Sequence, residues 1–258
     1  MRCFTLSAAF SGLFLTGATQ AATLGLYEFH TGTYDATLSH QSTDTDPDST
    51  ASLMVVGGGF GAQAANRWGT SATTFTNSVP RHLFVRGHGA FGGTPANVDI
   101  VDGTDEATAV AADDYFEFTI SPNSGYEIDF TGFTLKYVVT ADVAAPDRQG
   151  TAFVRSSLDG FASTLGSVTD SNVQTSPNTA FGNPDLSINL SVLGSYQNVA
   201  GPVSFRVYLY ETGTGGTNVI HRLEDVTIAG DVSLIPEPGA IAALGLMGLL
   251  PLRRRRAR

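Results

Sequence analysis

Thiols and ammonium groups are almost missing from this chain. Among its 258 residues there is one cysteine, Cys3, and one lysine, Lys136. Tryptophan also occurs once, as Trp68. A lone cysteine excludes an intramolecular disulfide framework and a cysteine-built zinc centre. With a formal net charge of −10, the chain lacks the positive face that phosphate backbones need, which excludes nucleic acid as a partner. There is no HExxH pair and no G-x-S-x-G elbow, so zinc-protease and serine-hydrolase chemistry have no local signature. Glycosidases are untouched by that test, because two carboxylates suffice for them. No repeat recurs along the chain, which argues against a propeller or a solenoid.

The N-terminus, MRCFTLSAAFSGLFLTGATQAATLG, reads as residues 1–22 of a secretory signal peptide. Arg2 supplies the positive start, Phe4 to Leu15 the apolar stretch, and Ala18, Ala21 and Ala22 the small residues before a cut. The expected cut follows Ala21 or Ala22 and discards Cys3. Export through the Sec machinery follows from this reading.

The C-terminus, residues 235–258, reads IPEPGAIAALGLMGLLPLRRRRAR. Ile235 to Leu252 as a helix would reach about 27 Å at 1.5 Å per residue, just short of a bilayer core of about 30 Å. Pro236, Pro238 and Pro251 resist helix at its margins. Arg253, Arg254, Arg255 and Arg256 form a stop that favours the cytoplasmic side. The ordered set of Pro236-Glu237-Pro238, apolar stretch and arginine cluster resembles the PEP-CTERM sorting signal of Gram-negative bacteria. The resemblance implies an exosortase as partner and a transient inner-membrane anchor. It implies a final place at the cell surface or in the extracellular matrix, often in bacteria that make exopolysaccharide.

Residues 23–234 form the body. They hold 23 carboxylates against 8 basic side chains, a net charge of −15. Period-two patterning predicts strands over 24–30, 52–56, 82–85, 114–120, 126–139, 151–156, 186–190, 203–211 and 223–230. In DYFEFTI, Phe116, Phe118 and Ile120 share one face. In YEIDFTGFTLKYVV the phase shifts at Thr131-Gly132. Turn clusters SPNSG, SLDG and ETGTGGTN separate the runs. No apolar helical period persists for three turns, so little helix is expected. Many short strands with polar turns predict one all-β domain, an antiparallel β-sandwich of jelly-roll type. The segments from Asp114 to Gly230 resemble the β-sandwich ectodomains that often precede PEP-CTERM tails. That resemblance brings no catalytic residues with it.

For chemistry, the loop GGGFG at 57–61 lacks the Lys-Ser/Thr of a phosphate loop and reads as a turn. His82 and His88 are six apart and find no third zinc ligand nearby; His30, His40 and His221 stand alone. Calcium is the better inorganic candidate. DTDPD (Asp44, Asp46, Asp48) and DGTDE (Asp102, Asp105, Glu106) are oxygen-rich loops without the EF-hand pattern. Glu28 and Asp225, on the first and last predicted strands, are a third candidate for calcium: their places resemble those of acids that hold a structural calcium in carbohydrate-binding jelly rolls. Solvated turns remain the simpler account of all these acids. Trp68, in ANRWGT, is the first candidate to stack on a sugar, followed by Tyr34, Tyr196 and Tyr210; Trp68 suits a core position equally. The expectation is therefore a non-enzymatic exported protein that associates with exopolysaccharide. The alternative is a secreted polysaccharide hydrolase or lyase on the same scaffold.

Overall fold

The computed structural model describes residues 21–27, 44–60, 83–86, 103–141, 147–171, 173–175, 185–213 and 219–236. Its strands are β1 (Ala22–Tyr27), β2 (Ser49–Ala51), β3 (Val55–Val56), β4 (Leu83–Arg86), β5 (Tyr115–Pro122) and β6 (Tyr126–Ala141). They continue as β7 (Gln149–Ser156), β8 (Gly166–Asp170), β9 (Gln174–Thr175), β10 (Asp185–Asn189), β11 (Val203–Thr212) and β12 (Ile220–Leu234). Two six-stranded sheets result. The first runs β1-β12-β6-β10, with β4 paired to β12 and β9 to β6; the second runs β2-β5-β11-β7-β8, with β3 paired to β5. Among the described residues every strand pairing is antiparallel except β6 with β9. The all-β expectation stands, and the two sheets face each other across one apolar core.

Alternation in the sequence becomes burial in the sheets. Along β5, Phe116, Phe118 and Ile120 turn inward while Tyr115, Glu117 and Thr119 stay half-buried on the other face. Phe118 stacks on Phe133 of the facing sheet with centroids 6.2 Å apart, and lies 4.7 Å from Tyr27 of β1. Phe205 of β11 meets Phe130 edge-on at 5.6 Å. Each such ring removed from water contributes about 1.5–3 kcal/mol, with aromatic geometry adding about 0.5–1.5 kcal/mol per pair.

Bulges shape the first sheet, one on β1 between Thr23 and Gly25 and two between β6 and β12. Phe130 pairs with Gly230 and Gly132 with Ala229, which leaves Thr131 as the extra residue. This is the phase shift visible at Thr131-Gly132, and it lets Phe130 and Phe133 both face the core. On β12 the register passes from Glu224–Lys136 to Thr227–Thr134, so Asp225 and Val226 together oppose Leu135. Leu223 and Val226, three apart, are both buried as a consequence.

One helix departs from the sequence expectation. α1 (Glu106–Ala112) follows the DGTDE segment. Asp105, expected in an oxygen-rich loop, is instead its N-cap. Asp105 Oδ1 accepts from Thr108 N at 2.8 Å, and Thr108 Oγ1 accepts from Asp105 N at 3.0 Å. Backbone and side-chain hydrogen bonds from Thr108 lower its pKa. Glu106 is ion-paired with Arg155 at 3.2 Å. The helix seats Ala109 on Phe153 and Tyr208, on the outer face of the second sheet. The glycine segment is a 3-10 turn at Gly58–Phe60, held close: a Cβ on Gly59 would lie 2.1 Å from the Ala112 carbonyl oxygen.

The ends of the fold sit together. β1 opens at Ala22 opposite Gly230, and β12 closes at Leu234, after which Ile235 N donates to Gly125 O at 2.8 Å. Among the described residues no helix is long and apolar enough to cross a membrane. Residues 1–20 of the signal segment, Glu237, Pro238 and the Arg253–Arg256 cluster lie outside the described residues; Pro236 is exposed.

Candidate functional site

The outer face of the first sheet carries a groove of about 440 Å³ that crosses β1, β12, β6 and β10. Thr134, Lys136, Asp185, Ser187, Asp225 and Thr227 line it, with Leu26, Leu135 and Leu186 forming its apolar part. Its volume falls within the range of about 300–1,000 Å³ usual for small-ligand sites. Period two places Thr134 and Lys136 on the face opposite the buried Phe133, Leu135 and Tyr137. Pairing of Asp185 with Lys136 and of Ser187 with Thr134 brings β10 alongside in register.

The β12 bulge aims Asp225 into this groove. Asp225 adopts φ 50, a left-handed conformation that costs a non-glycine residue of order 1–3 kcal/mol. Aspartate tolerates it better than most residues. Its Oδ2 accepts from Lys136 Nζ at 2.5 Å, while its carbonyl accepts from Thr227 Oγ1 at 3.2 Å. The hydrogen bond to Asp225 raises the Lys136 pKa against the opposing effect of burial, and Glu224 and Asp185 add to it. The ammonium therefore stays charged at neutral pH. Chemically the groove offers one fixed cation, two carboxylates and three hydroxyls within a single concave face.

A second polar constellation is sealed inside the sandwich. Tyr137 Oη lies 2.6 Å from His221 Nδ1, and His221 Nε2 lies 3.3 Å from Glu211 Oε2. Glu211 Oε1 accepts from Arg148 Nη1. Asp170 Oδ2 accepts from Val139 N at 2.8 Å. His221, which stands alone among the histidines in sequence, is fully buried; strand β12 carries it inward. Burial, followed by the charges of Asp170 and Glu211, pushes the Tyr137 phenol well above its ordinary range. Burial also opposes the charge on Glu211, but His221 and Arg148 outweigh it and hold the carboxyl below its ordinary value. Burial alone lowers Arg222 to about 10. This chain ties both sheets together, and its depth gives it a structural character.

The sequence candidates separate on inspection. Asp225 is neutralised by Lys136, and Glu28 lies outside the described residues. Asp44 Oδ1 accepts from Asp46 N at 2.9 Å and Asp46 Oδ1 from Asp48 N at 2.8 Å, two successive turns closed by their own carboxylates. Burial raises the Asp44 pKa. Among the described residues no group of three or more histidines, cysteines or acids is arranged to hold a metal ion. Trp68, Tyr34, Asp102, His30, His40, His82 and His88 lie outside the described residues. Tyr196 is not an exposed platform: it is buried at 4% exposure against Phe130 and Phe205, with its hydroxyl 2.5 Å from Ser156 Oγ. Tyr210 is half-buried beside Phe153. Sequence reasoning missed Thr134, Lys136, Asp185, Ser187 and Thr227 as a set; the one available signal was a lone lysine in an acidic chain. Comparison with known proteins finds no matching family model, no similar curated protein and no similar solved structure.

Proposed function

We propose that this chain is an exported bacterial protein, delivered by a PEP-CTERM tail, whose sandwich associates with extracellular polysaccharide. The observation that carries the reading is the ordered tail, Pro236-Glu237-Pro238 followed by the apolar stretch and Arg253–Arg256, behind an N-terminal signal segment. The fold supports it at both margins. The first strand opens at Ala22, at the expected signal cut, and the last closes at Leu234, just before the tail. Sec export, transient anchoring in the inner membrane and exosortase processing follow as parts of the proposal. First and last strands lie side by side, an arrangement that suits the jelly-roll connectivity.

Polysaccharide association rests on the groove, which is open and sets three hydroxyls and a Lys–Asp pair beside an apolar surface of Leu26, Leu135 and Leu186. The hydrolase or lyase alternative draws on Asp185 and Asp225 sharing that groove, since glycoside hydrolysis needs two carboxylates. Lys136 bonded to Asp225 favours binding over chemistry, because it ties one carboxylate into an ion pair. Calcium is a separate, subordinate proposal resting on the acidic body, and melting in calcium against EDTA at equal ionic strength tests it. For the sorting reading, the test is fractionation of chains in which Pro236-Glu237-Pro238 is replaced by alanines, in an exosortase-bearing host. The variant is expected to stay in the membrane fraction while the native chain reaches the surface or medium. Equal distribution of the two overturns the reading.

A further inference from the structure

We infer that the groove on the first sheet takes an uncharged, hydroxyl-rich glycan segment, with Lys136 and Asp225 together gripping a pair of adjacent hydroxyls. The inference deepens the polysaccharide reading above and rests on it. Each sugar hydroxyl is both donor and acceptor, so it is best met by a donor and an acceptor held side by side. The Lys136 ammonium offers only donors and the Asp225 carboxylate only acceptors, and they stand 2.5 Å apart. Side-chain exposures of 40% and 31% leave both reachable from the groove. Hydrogen bonds in which one partner is ionised are roughly twice as strong as neutral ones. Thr134, Ser187 and Thr227 extend the same chemistry along the groove floor.

Charge decides between glycan classes. Within the groove Asp185 and Asp225 outnumber Lys136, and the body around it is acidic. A uronic-acid or phosphorylated glycan would meet like charge, which opposes its binding. An uncharged segment meets no such penalty. The bulge adds a geometric sign. Asp225 holds a left-handed conformation at the position where its carboxylate reaches Lys136, and strained residues of this kind cluster at ligand sites.

The lone lysine also makes the test clean. In the full chain, held in a sugar-free detergent and labelled with ¹³C at lysine, one side-chain signal reports on the groove. Maltohexaose, cellohexaose and xylohexaose are titrated against hexagalacturonate at constant salt. Expected is a saturable shift of the Lys136 signal with at least one neutral hexaose and none with the anionic one. Ser187→Ala and Thr134→Val, which leave the ion pair intact, should each weaken that binding about tenfold, the loss of one hydrogen bond from an otherwise paired site. A larger response to hexagalacturonate, or binding that leaves the Lys136 signal unmoved, overturns the inference. So does a complete lack of response to all four sugars. Parallel co-sedimentation with native exopolysaccharide separates the two levels. Co-sedimentation with a silent Lys136 sinks the groove alone, and loss of both sinks the polysaccharide reading as well.

Discussion

The Tyr137 hydroxyl and His221 Nδ1 lie 2.6 Å apart on neighbouring strands, both side chains buried in the core. Both ring nitrogens of His221 are engaged, Nδ1 by the Tyr137 hydroxyl and Nε2 by Glu211 Oε2 at 3.3 Å. Gly150 makes room for this pair: a Cβ there would stand 2.6 Å from Tyr137 Oη and 2.4 Å from Val139 Cγ2. Gly150→Ala is therefore expected to destabilise the body by about 1–3 kcal/mol through overpacking. Chemical denaturation of the two chains measures it, and an unchanged midpoint contradicts the packing described.

Glu211 links that pair to Arg148, and acid should uncouple it. Its folded-state pKa lies below the ordinary 4.5. The stabilisation is thus complete above that value and is lost as pH falls through the folded-state value. Glu211→Gln should cost about 1.5–3 kcal/mol near neutrality, since it removes the charged partner that Glu211 gives Arg148 and His221. On acidification below the ordinary 4.5 and on through the folded-state value, the native chain should lose more stability than the variant. Parallel pH profiles would place the pair outside the acid response.

Asp225 tests the bulge. Asp225→Asn keeps a residue that tolerates the left-handed region and should cost under about 1 kcal/mol, the worth of an exposed ion pair. Asp225→Val forces a β-branched side chain into φ 50 and should cost clearly more, about 1–3 kcal/mol beyond the asparagine variant. Equal melting points for the two would contradict the strained conformation.

Phe205 sits where the two sheets meet, with Phe118, Phe130 and Phe133 around it at 5.7, 5.6 and 6.0 Å. Phe205→Ala should cost about 3–5 kcal/mol. Denaturant midpoints check it, and a loss below about 1 kcal/mol would mean the sheets do not share that core.

Much of the sandwich was legible because burial follows side-chain alternation. β5 reads directly from Phe116, Phe118 and Ile120, and even the β6 bulge announces itself as a change of phase. β8, GSVTD, was not legible: Val168 is its one apolar residue, and its place at the sheet edge is set by β7. α1 escaped because seven residues are too few for a helical period, and it buries little more than Ala109. The groove was the least visible part. Lys136 and Asp225 are 89 residues apart, and only strand register and a bulge bring them together. Its hydroxyls look in sequence like any outward-facing strand positions.

The central claim is that this chain is exported and then released from a temporary C-terminal anchor. Intact-mass measurement of the protein recovered from the surface and medium of an exosortase-bearing host tests it most directly. The account predicts a species that begins at Ala22 or Thr23, retains β12 through Leu234, and lacks the Arg253–Arg256 cluster. A surface or medium species that still carries all four arginines would contradict it.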